Sequence, residues 1–134
     1  GEKVLTKGVD AGDVDKDIRD IARKLSQKRK CTVVVTGKED IVADSPKLYL
    51  IKNGHPMMTN VVGTGCMSTS IVATFAAVEK DFCYACAAAL ACFGIAAECA
   101  IDKSYGPSSF KEELFDCLYN LDKQTIDIMQ KIEV

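Results

Sequence analysis

Blocks of apolar residues with two different spacings follow one another along the chain and predict a mixed helix and strand protein. Asp13 or Asp15 is expected to cap a first helix that runs to about Lys28. Its apolar positions recur at helical spacing: Ile18, Ile21, Ala22 and Leu25. The run from Cys31 to Thr36 is rich in β-branched residues and lacks polar alternation. This pattern is typical of a strand that is buried on both faces of a sheet.

A pair of antiparallel strands is predicted next. Residues 41–43 and 47–51 are mostly apolar, and Asp44-Ser45-Pro46 between them has the composition of a turn. A loop follows over residues 52–56. It contains His55, the only histidine, whose spacing to other acids and bases suggests no catalytic triad. We therefore expect His55 to be a turn or surface residue.

The rest of the chain is predicted to be helical. Helices are expected over residues 63–79, 82–103 and 107–119, with Pro107 at a helix start, where its missing N–H is no loss. The chain is predicted to end in a short amphipathic helix with these apolar positions: Leu121, Ile126, Met129 and Ile132. Strands and helices in this order predict an α/β protein.

Residues 82–97 form the longest apolar block, 16 residues without a charge. A membrane span needs about 20 apolar residues, and this block is dominated by alanine and cysteine rather than leucine. A buried core helix is therefore expected, and no membrane partner. No signal peptide is visible at the N-terminus, which begins Gly1-Glu2-Lys3 and lacks an apolar core segment. A cytoplasmic location is expected from the cysteines, which are predicted to be reduced.

Composition narrows the functional classes. The chain has 134 residues, the length of one ordinary domain, and its 17 basic and 19 acidic residues give a net charge of −2. The only dense basic run lies near the end of the first predicted helix, where it complements the helix dipole. Nucleic acid is therefore excluded as an expected partner.

The seven cysteines point to a reducing compartment, because their number is odd and several lie in helical sequence. Cys83 and Cys86 have the spacing of a redox or metal pair, but no second such pair follows. We expect them to be small buried packing residues.

The turn Gly63-Thr64-Gly65-Cys66 carries the clearest chemical signal, because it leads directly into a predicted helix. The first N–H groups of a helix have no partners within the helix and lie at the positive end of its dipole. Such a turn suits the negative charge of a phosphoryl group. A plain turn or a point of close packing would use the same residues.

Several segments together resemble the hydroxyethylthiazole kinase family. They are Val33-Val34-Val35-Thr36-Gly37-Lys38-Glu39-Asp40-Ile41-Val42-Ala43-Asp44, Asn53-Gly54-His55, Val62-Gly63-Thr64-Gly65-Cys66 and Gly106-Pro107-Ser108-Ser109-Phe110, in the family's order. Lys7-Gly8-Val9-Asp10 near the start and Leu118-Tyr119-Asn120-Leu121-Asp122 near the end also fit it. The resemblance covers essentially the whole chain but only the C-terminal half of the family's length. It implies a ribokinase-like three-layer α/β/α fold, with residues 1–134 as the C-terminal portion of a single kinase domain.

The resemblance also implies a reaction and its partners. The γ-phosphoryl of ATP moves to the hydroxyl of 4-methyl-5-(2-hydroxyethyl)thiazole, a step of thiamine biosynthesis and salvage, with Mg²⁺ neutralising charge. By resemblance, Thr36 contacts ATP and Gly63 contacts the thiazole. Thr64, Gly65 and Cys66 complete the anion hole together with Gly63.

Cys66 stands where most ribokinase-like kinases carry an aspartate that accepts the proton of the substrate alcohol. A free thiol has a pKa of about 8.5, and a helix N-terminus can lower it. Cys66 is therefore expected to act as the catalytic base or as a group that orients the alcohol. A small capping residue is the alternative.

The family's remaining features are not found in this sequence. The resemblance assigns the acidic residues that handle Mg²⁺ and most of the substrate pocket to an N-terminal half, which this chain is expected to need. It also implies a homotrimer with active sites at subunit boundaries. Two other functions stay open: a non-catalytic fragment that binds nucleotide or phosphate, and a kinase for another small alcohol such as a hydroxymethylpyrimidine.

Overall fold

A four-stranded antiparallel sheet lies between helices on its two faces in this computed structural model, which describes residues 17–134. The strands are β1 (Val33–Val35), β2 (Asp40–Asp44), β3 (Lys47–Ile51) and β4 (Ile132–Glu133), in that spatial order. Val42 pairs with Val34 on one side and Tyr49 on the other. The predicted hairpin is thereby confirmed.

Five α-helices accompany the sheet in the described residues: α1 (Ile18–Arg29), α2 (Thr64–Ala76), α3 (Phe82–Ile101), α4 (Pro107–Tyr119) and α5 (Lys123–Met129). A short 3₁₀ helix, Pro56–Asn60, precedes α2. Helix α1 packs against β1 and β2. Helix α3 packs against β2 and β3 and also contacts α2 and α4. The predicted α/β class and its three-layer order are confirmed.

Alternation along the strands explains the two cores beside the sheet. Ile41, Ala43 and Leu50 pack with Ala22 of α1. Val42 and Ile51 point the other way and pack with the cysteine- and alanine-rich side of α3. Because successive side chains of a strand point to opposite faces, an almost uninterrupted apolar sequence supplies both layers.

The expectation that β1 is buried on both faces is wrong for this chain. Val33, Val34 and Val35 each have apolar neighbours, but all three are only partly buried. These side chains are only partly buried because, among residues 17–134, β1 is an edge strand that pairs only with β2.

The first helix begins later than expected. Its cap is Asp17, whose Oδ1 accepts a hydrogen bond from the Arg19 N–H at 2.9 Å. The expected caps Asp13 and Asp15 lie outside the described residues. Only Ala22 of the predicted apolar stripe is buried, while Ile18, Ile21 and Leu25 are about two-fifths exposed at 39%, 39% and 43%.

The last predicted helix is too long, because Ile132 lies on strand β4. Helix α5 ends at Met129, and Gln130 turns the backbone into an extended conformation. Strand β3 has an open edge here, and the Lys52 N–H donates to the Lys131 carbonyl at 3.0 Å. Pairing with the sheet therefore overrides the helical spacing of the last apolar residues.

Helix α3 forms the centre of the described structure. By length and composition it is the one helix among residues 17–134 that is able to cross a membrane, but most of its surface is buried inside the protein. Its small side chains let α2, α4 and the sheet approach closely. The apolar block is thus used as a core helix, as predicted.

Candidate functional site

The turn at residues 63–66 opens helix α2 and leaves backbone N–H groups without partners in the helix. Gly63 is the N-cap residue with φ 98°, a left-handed conformation that favours glycine. The first intrahelical bond runs from the Met67 N–H to the Gly63 carbonyl at 2.9 Å. The N–H groups of Thr64, Gly65 and Cys66 precede this bond, so no carbonyl of the helix accepts from them. The first turn of α2 carries no acidic residue to compete with an anion.

The side chain of Thr64 holds the turn in place. Its hydroxyl lies 3.1 Å from the Met58 carbonyl oxygen and 3.4 Å from that of Val61. Thr64 therefore ties α2 to the preceding 3₁₀ helix through its side chain. Only its backbone N–H is left for a ligand.

Gly65 leaves the backbone without a side chain at a position where nothing among residues 17–134 requires a glycine. Its φ is not in the left-handed region, and a Cβ built on it would meet no atom within 4 Å. Neighbouring Cys66 is exposed. Within the described residues, neither local packing nor backbone strain accounts for the glycine at position 65.

Thr36 lies at a different place from the turn. It follows β1 and lines a cleft of about 420 Å³ together with Arg19, Lys38 and Glu39, and none of residues 63–66 lines it. Arg19 and Glu39 form an ion pair at 3.5 Å. The structure therefore does not bring the predicted ATP contact and the predicted anion hole into one pocket of the described residues.

Asp40 shapes the loop beside Thr36. Its Oδ1 accepts a hydrogen bond from the Gly37 N–H at 2.9 Å. Burial raises the pKa of Asp40, against a smaller lowering by this hydrogen bond. The carboxyl fixes the backbone that leads out of β1 into the cleft.

The described residues contain no cluster of metal ligands. Among residues 17–134 no three side chains of histidine, cysteine, aspartate or glutamate lie close enough together to hold a metal. A Mg²⁺ ion bound mainly through substrate phosphates needs only about one or two protein carboxylates, so this absence concerns only a site built wholly from protein ligands.

The remaining predicted motifs have architectural roles. His55 caps the 3₁₀ helix, because its Nδ1 accepts from the Met57 N–H at 3.1 Å, which confirms a turn residue. Ser109 caps α4 by accepting from the N–H groups of Tyr105 and Gly106 at 2.8 and 3.1 Å. Cys83 and Cys86 are buried and unpaired, as expected.

Sequence reasoning missed a group of polar residues just upstream of the turn. Glu98 accepts hydrogen bonds from the Gly54 N–H and from the amide of Asn53, and it pairs with Lys131. We call Asn53, Gly54, Glu98 and Lys131 the Asn53 network. The sequence feature that could have revealed this group is Glu98, the first charged residue after 16 uncharged ones in a predicted core helix.

Comparison with known proteins gives a consistent result. The sequence model of the hydroxyethylthiazole kinase family matches residues 1–124. The chain is similar to the hydroxyethylthiazole kinase of Methanosarcina acetivorans, at 45% identity over 99% of this chain and 51% of the relative. The one from Desulfatibacillum aliphaticivorans is 46% identical over 90% of this chain and 45% of the relative. The chain thus spans about half the length of the curated relatives it matches.

A solved structure gives the same picture. The hydroxyethylthiazole kinase protein from Pyrococcus horikoshii OT3 superposes with a TM-score of 0.83 at 34% identity, over 87% of this chain and 45% of that chain. This likeness confirms the expected fold class.

Proposed function

The chain belongs to the hydroxyethylthiazole kinase family, and we propose that it forms the C-terminal part of a kinase domain with that activity. The reaction transfers the γ-phosphoryl of ATP to the hydroxyl of 4-methyl-5-(2-hydroxyethyl)thiazole. The observation that carries the proposal is the open turn at residues 63–66, where three backbone N–H groups and a bare glycine face outward from a helix N-terminus.

The turn would act by electrostatic stabilisation. In phosphoryl transfer, charge spreads over the oxygens of the transferred group, and fixed donors aimed at that charge lower the barrier. The N–H groups of Thr64, Gly65 and Cys66 are such donors. They need no reorganisation, because the Thr64 hydroxyl already holds the turn against Met58. Gly63 would let the thiazole approach the backbone.

Cys66 is our proposed base or orienting group for the alcohol. It is exposed at the third position of the helix, beside the donors. Because the transition state of phosphoryl transfer is loose, the alcohol need not lose its proton early, so a weak base suffices. A carboxylate at this position would do the same work.

Thr36 is our proposed contact to ATP. It follows the C-terminal end of β1 and lines a cleft that also contains Arg19 and Lys38. Ligands of open α/β sheets bind beyond the carboxyl ends of strands. Lys38 suits a phosphate chain, and Arg19 would have to leave its ion pair with Glu39 to join it.

The rest of the site would come from outside these 134 residues. We propose that Mg²⁺ is held by residues of the family's N-terminal half. We also propose a cytoplasmic homotrimer with active sites at subunit boundaries. The seven unpaired cysteines support a reducing compartment.

A fused enzyme tests the proposal. This chain is joined behind the part of the Methanosarcina acetivorans kinase that its match leaves uncovered, and the purified protein is given ATP, Mg²⁺ and the thiazole alcohol. We expect phosphorylation of the thiazole alcohol and not of hydroxymethylpyrimidine. Nucleotide binding without transfer would favour a non-catalytic fragment, and transfer only to hydroxymethylpyrimidine would favour the other kinase.

Cys66 variants of the fused enzyme test the role of the thiol. Cys66→Asp should keep activity and Cys66→Ala should lower kcat by about 10²-fold or more, the usual contribution of a positioned acid or base. Cys31→Ala is the matched control, because Cys31 is also exposed but lies before β1. Complete loss of activity in Cys66→Asp would contradict the assignment.

A further inference from the structure

We propose that Glu98 is a positioning residue for the turn at residues 63–66, acting through the segment 54–63 that leads into it. This inference rests on the proposed function for its catalytic consequence. Its structural part, that Glu98 on helix α3 holds the turn in position, rests on the contacts alone.

Glu98 uses both carboxylate oxygens for hydrogen bonds. Its Oε1 accepts from the Gly54 N–H at 2.9 Å and from the Asn53 amide nitrogen at 3.2 Å, and its Oε2 accepts from Lys131 Nζ at 2.9 Å. The Glu98 side chain is only 13% exposed. A carboxylate shielded in this way holds its donors firmly, because hydrogen bonds to a charged group are about twice as strong as neutral ones.

Asn53 completes the attachment. It is buried, its amide nitrogen also donates to the Met129 carbonyl at 2.9 Å, and its Oδ1 accepts from the Lys131 N–H at 2.8 Å. The C-terminal segment is thereby joined to the same point as α3. No buried side-chain nitrogen or oxygen in the described residues lacks a partner, so the network is fully satisfied.

Gly94 brings the helix close enough for these bonds. A Cβ at this position would stand 2.6 Å from the backbone carbon of Asn53. Gly94 lies one helical turn before Glu98 and therefore on the same face of α3. Helix α3 therefore contacts Asn53 through the bare backbone at Gly94. One turn later, the Glu98 carboxylate reaches the Gly54 N–H.

The segment 54–63 transmits this attachment to the turn. It contains only the short 3₁₀ helix, and its far end is held by the Thr64 hydroxyl on the carbonyls of Met58 and Val61. Among residues 17–134, Glu98 and Thr64 are the only residues outside the segment whose side chains hydrogen-bond its backbone. Loss of Glu98 would release one of these two attachments.

Hydrogen exchange tests the inference without relying on activity. In the fused enzyme, Glu98→Gln removes the charge and leaves too few acceptor positions for three donors. We expect amide exchange in residues 56–66 to rise about tenfold, because loss of a charged hydrogen bond makes local opening easier. Glu133→Gln is the matched control, since Glu133 on β4 pairs with Lys52 just after β3 and makes no side-chain hydrogen bond to residues 54–63.

A second substitution should restore the network. In Glu98→Gln combined with Lys131→Glu, the new amide can accept from Gly54 and donate to the new carboxylate. Exchange should return toward that of the wild type. A rise in exchange that this double variant does not reverse would contradict the proposal, as would unchanged exchange in Glu98→Gln.

Kinetics then separate positioning from stability. Measured well below the unfolding temperature, Glu98→Gln should lower kcat about 10- to 100-fold, as a misplaced site does, with KM for ATP changed less than about twofold. Unchanged kcat alongside faster exchange would overturn the catalytic consequence. An inactive wild-type fusion in which Glu98→Gln still raises exchange would refute the proposed kinase function while the fixing of the turn stands.

Discussion

Two glycines in one turn have opposite reasons for being glycine. Gly63 adopts φ 98°, which a side chain makes costly, whereas Gly65 has ordinary helical geometry and open space around it. The first is explained by the backbone of this chain alone. The second has no explanation in the described residues, and the proposed anion hole supplies one, so the site is testable residue by residue.

Alanine at the two positions should therefore separate folding from activity. Gly63→Ala should lower the free energy of unfolding by about 1–2 kcal/mol, because it forces a left-handed alanine. Gly65→Ala should leave stability equal or slightly higher, since alanine favours helices, but lower kcat of the fused enzyme at least about tenfold. Urea unfolding and steady-state kinetics measure the two effects. A fully active Gly65→Ala enzyme would refute the anion hole.

The sequence predicts the local roles of single residues well, but it predicts poorly which distant residues they contact. The helix start after Gly63, the turn position of His55 and the buried cysteines all follow from neighbours in sequence. The Asn53 network does not, because Asn53 and Glu98 are 45 positions apart and meet only after α3 has packed against the end of β3. For Thr36, residue type alone could not reveal which cleft it would line.

At the scale of elements, α3 organises the described structure. It packs against β2, β3, α2 and α4. Helix positions were predictable because apolar spacing and caps are local signals, and α4 has the predicted bounds. The end of the chain was not predictable in the same way, because β4 forms only where β3 offers an open edge.

Gly94 tests the close contact of α3 with Asn53. Gly94→Ala should destabilise the protein by about 1–3 kcal/mol, the usual range for overpacking, because backbone atoms of Asn53 lie 2.6 Å from the added Cβ. Gly65→Ala is the matched control, a glycine-to-alanine change in a helix without a clash. Equal unfolding midpoints in urea for the two variants would contradict the contact.

The buried thiols of α3 predict a loss of stability in alkali. Burial raises the pKa of Cys83 from 9.0 to about 11. Above pH 9 the unfolded chain ionises this thiol while the folded protein keeps it protonated, so the free energy of unfolding should fall between about pH 9 and 11. Cys83→Ala should show a shallower fall than Cys31→Ala in urea unfolding at pH 8 and 10.5. Parallel falls would contradict the assignment to Cys83.

At the scale of the whole molecule, two surfaces remain uncovered in the described residues. One is the outer edge of β1 with the half-exposed apolar side chains of α1. The other is α2, which lies within a stretch, residues 53–78, that contains no aspartate, glutamate, lysine or arginine. Exposed strand edges and apolar faces favour association, so these surfaces suit the other half of the proposed kinase domain.

The isolated chain should therefore associate with itself. Sedimentation velocity should show oligomers or aggregates for the 134 residues alone, and a defined species once the uncovered part of the Methanosarcina acetivorans kinase is added. The added part would cover the edge of β1 and the face of α2. A monodisperse monomer with cooperative unfolding would show that the chain needs no such cover.

The most direct test of the central claim is phosphoryl transfer by separate polypeptides. This chain and the complementing part of the relative are purified apart, and each alone and the mixture are given ATP, Mg²⁺ and the thiazole alcohol. We predict product only in the mixture, and none when the chain carries Gly65→Ala. Transfer by the complementing part alone, or equal transfer by the mixture with Gly65→Ala, would contradict a phosphoryl site at residues 63–66.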